Sequence, residues 1–288
     1  MTQMRFPIAT RQLDRAQAGQ GGASMDSITV DGETIAYQEV GEGPAMVFIS
    51  GLGGVAQEWL PDMRHFGASM RCITLDHPGV NGTPLPQGFC GAPQMADRIA
   101  AGLAALGVES AVVMGMSMGG AVAQELALRH PQLVKRLVLT GAFARLDTRA
   151  RRAVTTLVEL LGCCDLKTAA RMFYWVAFNP EFFVQNLPAL DDMVDQYVAD
   201  PLDHAVFEYQ LQACLEHDTR DRLAGIGCPA LVVHGTTDIL VRPYLAEELA
   251  VGMPAAQLLL LDNGGHSCNW EQPESFRRKV AAFIAGGG

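Results

Sequence analysis

Short, mostly apolar runs recur along the chain, each ending in a turn rich in glycine or polar residues. They are Ala45-Met46-Val47-Phe48-Ile49, Arg71-Cys72-Ile73-Thr74-Leu75, Ala111-Val112-Val113-Met114, Leu133 to Thr140, Ala230-Leu231-Val232-Val233 and Gln257 to Leu261. Runs apolar on both sides of the alternation are what strands buried on both faces require. Between them lie segments of helical period: Pro93 to Leu106, Ala121 to Leu128, Tyr244 to Val251, and a last helix carrying Phe276, Val280 and Phe283. Ahead of all of these, Ser27 to Val30 and Thr34 to Tyr37 flank Asp31-Gly32, a dipeptide that accepts positive φ and therefore predicts a hairpin. Strands alternating with helices of ten or more residues predict an α/β fold, a mostly parallel eight-stranded sheet with helices on both faces.

The strand rhythm stops between about Ala144 and Leu215. That stretch is helical in pattern and rich in aromatics, among them Phe173, Trp175, Phe178 and Tyr197. It predicts a helical cap over the sheet's carboxyl edge, residues 144–215, inserted into a core made of 25–143 and 216–288. Residues 1–24, dominated by Gln, Arg and Gly, read as a flexible tail.

Composition narrows the picture. At 288 residues, 49% hydrophobic and 18% charged, the chain suits one large globular domain carrying an insertion. A formal charge of −10 repels phosphate backbones and anionic surfaces, so nucleic acid is not expected as a partner. No run of about 20 apolar residues predicts a membrane span. The seven cysteines are odd in number and form no C-x-x-C; the one close pair, Cys163-Cys164, is adjacent in sequence. Reduced thiols and a cytoplasmic location are the expectation.

The stretch most informative about chemistry is Gly115-Met116-Ser117-Met118-Gly119, set between an apolar run and a helical pattern. A Gly-x-Ser-x-Gly sequence in that setting is the mark of a nucleophile elbow, whose turn is too tight for side chains two residues before and after the serine. A serine hydroxyl needs an imidazole to take its proton, and the imidazole needs a carboxylate to fix its tautomer. Reactive side chains of parallel sheets collect at the strands' carboxyl ends. Asp238 follows one such end and His266 the next, in the chain order Ser, Asp, His. His77 is the second choice of base and Asp262 the rival acid; His234 and His130 read as structural, His65 as helical, and His204 and His217 as part of the cap or its edge. Backbone donors for an oxyanion come from Met118, after the nucleophile, and from the Gly51-Leu52-Gly53-Gly54 loop, where Leu52 is the choice.

These landmarks, with Gly235-Thr236-Thr237-Asp238 and Gly264-Gly265-His266, resemble the α/β-hydrolases over about residues 25 to 285. Three local matches are similar to the branch of 3-oxoadipate enol-lactonases and related esterases: Ser50-Gly51-Leu52-Gly53 with Trp59, the elbow itself, and His266-Ser267-x-Asn269-x-Glu271-Gln272-Pro273-x-x-Phe276. The resemblance implies Ser117 as nucleophile, His266 as base, Asp238 as its orienting acid, and no metal or organic cofactor. It points to cleavage of an ester or lactone as a small-molecule substrate, while the cap's aromatic and Met residues point to a mostly apolar acyl group or ring, with Trp59, Met116, Phe143, Trp175 and Phe178 as candidate pocket residues; a homo-oligomer stays open. A lyase or cyclase using the same groups for proton transfer, and a binding module with a vestigial triad, are the alternatives. The chain departs from the family at Ser50, where relatives carry His, which removes that histidine's bracing of the oxyanion loop. It departs again after Asp76, where Pro78 and Asn81 replace an Arg and a Gly; Asn tolerates the left-handed backbone required there.

Overall fold

The computed structural model of the chain describes residues 25–88 and 91–286. The expected tail, 1–24, and Cys90 lie outside the described residues. The sheet contains β1 (Asp26–Val30), β2 (Glu33–Val40), β3 (Ala45–Ile49), β4 (Arg71–Leu75), β5 (Ala111–Met116), β6 (Val134–Thr140), β7 (Ala230–Gly235) and β8 (Ala256–Leu261). They lie side by side in the order β1-β2-β4-β3-β5-β6-β7-β8. β1 and β2 pair antiparallel, β2 joins β4 antiparallel, and all remaining pairings are parallel. Asp31 and Gly32 turn the hairpin with φ of 50° and 83°, the mirror-image turn whose twist matches the strands it joins.

Period-two alternation divides the core cleanly. Val47, Ile49, Ile73, Val113, Leu137 and Val232 point to one face and pack with Met95, Ile99, Leu103, Leu126 and Leu249. These come from α2 (Ala92–Ala105), α3 (Met118–Arg129) and α9 (Pro243–Gly252). Their strand neighbours Met46, Phe48, Cys72, Met114, Val138 and Val233 point the other way, onto Met63 and Phe66 of α1 (Leu60–Phe66) and Phe276 and Val280 of α11 (Pro273–Ile284). Apolar residues on both sides of each strand thus give two cores separated by one sheet.

Between β6 and β7 the chain forms a helical layer: α4 (Thr148–Cys163), α5 (Leu166–Ala177), α6 (Pro180–Gln185), α7 (Leu187–Ala199) and α8 (His204–Glu216). Asp147, Asp165, Asn179 and Asp203 start four of these helices, each accepting a bond from a first-turn amide. Short polar caps between amphipathic stretches explain why this region turns so often without returning to the sheet. A brief helix, α10 (Cys268–Glu271), precedes α11. Among the described residues, no helix is long and apolar enough to cross a membrane.

The strand order reverses between β3 and β5, because β3 leads to β4 on one side and β5 returns to the other. The loops that follow the two strands depart in opposite directions there, leaving the crevice in which open α/β sheets place ligands. The crevice is narrow enough that a Cβ at Gly119 would come within 2.1 Å of the Ile49 carbonyl oxygen. Gly119→Ala should therefore destabilise the fold by about 1–3 kcal/mol, seen as a melting temperature lowered by several degrees. Gly227, with no atom within 4 Å of its would-be Cβ, provides the control: Gly227→Ala should melt like the wild type. Equal melting of the two variants would contradict the packing argument.

Candidate active site

Ser117 sits at the end of β5 and start of α3 with φ 52° and ψ −116°, outside the regions comfortable for a side-chain-bearing residue. Such strain, of order 1–3 kcal/mol, persists only where the surroundings over-determine it. Here the Ser117 N–H donates to the Thr140 carbonyl at 2.9 Å, while its own carbonyl accepts from Gly120 and Ala121 at 2.9 and 3.2 Å. A Cβ at Gly115 would lie 2.3 Å from the Gly119 carbonyl oxygen, so both flanking glycines are sterically required. Among the described residues the Ser117 hydroxyl has no hydrogen-bond partner; it opens, with His266, onto one cavity.

The Asp238 carboxylate follows β7 and is buried. His266 Nδ1–H donates to its Oδ2 at 2.7 Å, and the Leu240 and Val241 amides donate to Oδ1, both at 2.9 Å. A fourth donor is His234, on β7 itself: its Nε2–H is shared between the Val241 carbonyl at 2.8 Å and Asp238 Oδ2 at 3.2 Å. Burial alone would raise the Asp238 pKa, yet the His266 and His234 rings beside it more than compensate and hold it at about 2. The His266 imidazole is the mirror case. Burial pulls its pKa down, but the Asp238 carboxylate outweighs that and leaves it raised above 6.5. Gly141 supports the ring from below with φ of 57°; a Cβ there would meet His266 Cε1 at 3.1 Å. His77 lies elsewhere, donating Nε2–H to the Ser50 carbonyl at 2.9 Å. Asp262 is exposed and accepts from the Thr236 hydroxyl at 3.4 Å, not from His266.

The loop after β3 is braced despite the absence of a histidine at position 50. Trp59 Nε1–H donates to Ser50 Oγ at 3.0 Å, and His77 holds the Ser50 carbonyl. Ala56 N–H donates to Asp76 Oδ1 at 2.9 Å, and Asn81, at φ 48°, donates from Nδ2 to Asp76 Oδ2 at 2.8 Å. The asparagine in the family's glycine position therefore both accepts the left-handed backbone and ties the neighbouring loop. From α8, Gln210 Oε1 accepts the Gly53 N–H at 2.7 Å. Leu52 lines the cavity, while Met118 is buried, with its amide in the first turn of α3 where helix donors lack intrahelical acceptors.

The cavity measures about 170 Å³ and is walled mainly by apolar groups. Trp59, Met116, Phe143 and Phe178 line it, alongside Phe173, Leu240 and Trp270. Trp175 does not. It projects from α5 into solvent at 54% exposure, because the helix turns Phe173, Tyr174 and Ala177 inward and so points position 175 out. A second cavity of about 340 Å³ adjoins the first through Gly53, Tyr174, Phe178 and Trp270. Sequence reasoning missed His234, Gly141 and Gln210: a histidine within an apolar strand reads as core, a lone glycine as a turn, and a glutamine on a helix as surface. Among the described residues no cluster of three His, Cys, Asp or Glu is placed to hold a metal ion.

A family model described as alpha/beta hydrolase fold matches residues 44–273. A protein of Agrobacterium fabrum, bearing the name "Putative carbamate hydrolase RutD", is 33% identical over 259 residues, covering 84% of this chain and 94% of its own. An enol-lactonase of Burkholderia xenovorans superposes with a TM-score of 0.82 at 23% identity, over 90% of this chain and 100% of its own. A hydrolase of Pseudomonas aeruginosa does so at 0.82 and 25% identity, over 92% and 99%.

The electrostatics can be tested without any substrate. The carboxylate stabilises the imidazolium, so removing its charge must make the ring easier to deprotonate. In Asp238→Asn, His266 should titrate at lower pH than in the wild type when followed by NMR of the ring protons. A titration unchanged by that substitution would mean that the pair is not electrostatically coupled.

Proposed function

The chain belongs to the alpha/beta hydrolase family, and from that membership we propose that it is a serine hydrolase cleaving a carboxylic ester or lactone. The observation that carries the proposal is the 2.7 Å bond from His266 Nδ1 to Asp238 Oδ2, made on the rim of the cavity that Ser117 also lines. With Nδ1–H committed to the carboxylate, the neutral ring has its lone pair at Nε2, the tautomer a general base needs. Ser117 Oγ attacks the substrate carbonyl as His266 Nε2 takes the hydroxyl proton. The oxyanion that forms is received by the amides of Leu52 and Met118. Collapse breaks the acyl carbon–oxygen bond, and the His266 cation returns its proton to the departing alkoxide. Water then repeats the sequence on the acyl-enzyme and frees Ser117.

Substrate class follows from the walls. A cavity of apolar and aromatic side chains rewards an acyl group or ring of similar character, with a few polar groups fixing its orientation. The names carried by the Agrobacterium relative and the Burkholderia neighbour refer to a carbamate and a lactone, both of which place a heteroatom on a carbonyl carbon. That common feature supports attack at an acyl carbonyl and leaves the leaving group as the variable.

A fluorophosphonate probe should label the wild type at Ser117, and Ser117→Ala should neither label nor turn over, with a loss on the order of 10⁶ in kcat. Asp238→Asn should fold and lose about 10⁴. A panel of chain-length-varied nitrophenyl esters, lactones, thioesters and carbamates would identify the leaving group, with an acyl adduct on Ser117 detectable by mass spectrometry. Turnover of such substrates by Ser117→Ala at the wild-type rate would sink the proposal.

A further inference from the structure

The turn that carries Leu52 is held in shape by a hydrogen bond from outside the core. Gly54 N–H donates to the Gly51 carbonyl at 3.1 Å, closing a four-residue turn with Leu52 and Gly53 at its centre. Gly53 has φ of +75° while Leu52 is not in the left-handed region, which defines a type II turn. Types I and II differ by a flip of the central peptide, here the one joining Leu52 to Gly53. The flip proceeds through ψ of Leu52 and φ of Gly53 while the ends of the turn stay in place. A glycine at the third position can adopt either form. Something else must therefore select one.

Gln210 is placed to do so. It lies on α8, 157 positions from Gly53, and is fully buried. The atom 2.7 Å from the Gly53 N–H must be an acceptor, which fixes the amide orientation with Oε1 toward the loop. In a flipped turn the Leu52 carbonyl oxygen would face that same oxygen, and two acceptors repel. Phe207, three residues earlier on the same helix, closes the space beside Gly53: a Cβ at 53 would come within 2.5 Å of its Cε1. The other end of the Gln210 amide is informative. Among the described residues the buried Nε2 has no hydrogen-bond partner, so the side chain leaves a donor unpaired in order to present its oxygen. Packing alone would favour an apolar residue of equal length at this position.

We propose that Gln210 is a positioning residue of the oxyanion hole, holding the Leu52–Gly53 peptide in the type II orientation and thereby aiming the Leu52 amide. The inference rests on the hydrolase reading above, in which Leu52 N–H receives the oxyanion. Turn type and donor aim are coupled because that amide lies one residue from the peptide that flips. Gln210 touches no reacting atom, and its effect appears in the transition state, where the oxyanion exists, more than in substrate binding.

The test compares Gln210→Met, which keeps length and loses the acceptor, with Gln210→Glu, which keeps an acceptor in either protonation state. Gln212→Ala, at an exposed position of the same helix, is the control. With a nitrophenyl ester, Gln210→Met should lower kcat by about 10- to 100-fold with little change in KM, as expected for a misplaced oxyanion donor. Affinity for a trifluoromethyl ketone, which forms a tetrahedral adduct on serine, should fall by the same factor. Melting temperature should change little, because the Gly53 N–H that loses its acceptor is offset by removal of the buried, unpaired Nε2. Gln210→Glu should restore most of the rate, and Gln212→Ala should match the wild type. Full kcat in Gln210→Met, unchanged ketone affinity, or equal damage in Gln210→Glu would each overturn the assignment. A Gly53 amide that exchanges with solvent at open-loop rates in the unmodified protein would overturn it whichever variants fold. A wild type that fails to react with fluorophosphonate removes the hydrolase premise as well; a wild type that labels normally beside an unimpaired Gln210→Met removes only this inference.

Discussion

One steric constraint orders this molecule: the backbone of α3 must pass against the carbonyl end of β3 with nothing between them. Gly119 makes that approach possible, since a Cβ there would meet the Ile49 carbonyl oxygen at 2.1 Å, and Gly115 permits the turn leading into it, since a Cβ there would meet the Gly119 carbonyl oxygen at 2.3 Å. Because the approach is so close, the chain must reverse within a few residues, and Ser117 is left at φ 52° at the apex. The strand order then does the rest. β3 and β5 are neighbours whose following loops depart in opposite directions, so the loop carrying Leu52 and the turn carrying Ser117 face each other across the resulting crevice.

Around that apex the chemistry is held by a buried charge with four donors. Isolated in a protein interior, the Asp238 carboxylate would be costly; with two backbone amides on Oδ1 and two imidazoles at Oδ2 it is kept ionised. Its depressed pKa means that this stabilisation is complete above the unfolded value of about 3.9 and is lost as pH falls through about 2. The raised pKa of His266 acts in the opposite sense: its contribution is complete below 6.5 and is lost as pH rises through the folded value. The base role proposed for His266, which needs the neutral ring, would therefore lie on the side where the ion pair contributes least to folding.

What could be read from sequence divides along physical lines. The strands, the hairpin turn at Asp31-Gly32 and the strand-turn-helix at Ser117 depend on local period and on glycine's backbone freedom, and both are written in neighbouring residues. Asn81 was legible for the same reason, as a residue tolerant of left-handed geometry, and the structure finds it at φ 48°. Trp175 was not, because its facing depends on how α5 rotates against α4 and α7, and an aromatic in a helical stretch carries no mark of which side it will occupy. His234, Gly141 and Gln210 acquire their places from partners 4, 125 and 157 positions away, so their parts emerge only with the chain assembled.

The helical layer is joined to both loops that shape the site. Gln210 holds the loop of Leu52, and on the opposite side the Ser267 N–H donates to the Ala177 carbonyl at 2.9 Å, immediately beside His266. Glu271 extends that second link: its carboxylate accepts the Gly265 N–H at 2.6 Å together with the backbone and side-chain N–H groups of Asn179, at 2.8 and 2.6 Å. Asn179 in turn starts α6, so the residue that begins a helix of the layer also anchors the loop carrying the imidazole. Lifting the layer as a rigid body would strand the Gly53 and Ser267 donors and the Glu271 carboxylate together, at about 1–3 kcal/mol for each group left buried and unpaired. The hydrogen bonds that keep the layer seated thus also tie down the loops beneath it. A layer that also walls the apolar cavity cannot change that cavity by large movement without breaking these bonds, so on the function proposed above the choice of substrate and the alignment of Ser117, Asp238 and His266 would be two consequences of one packing arrangement.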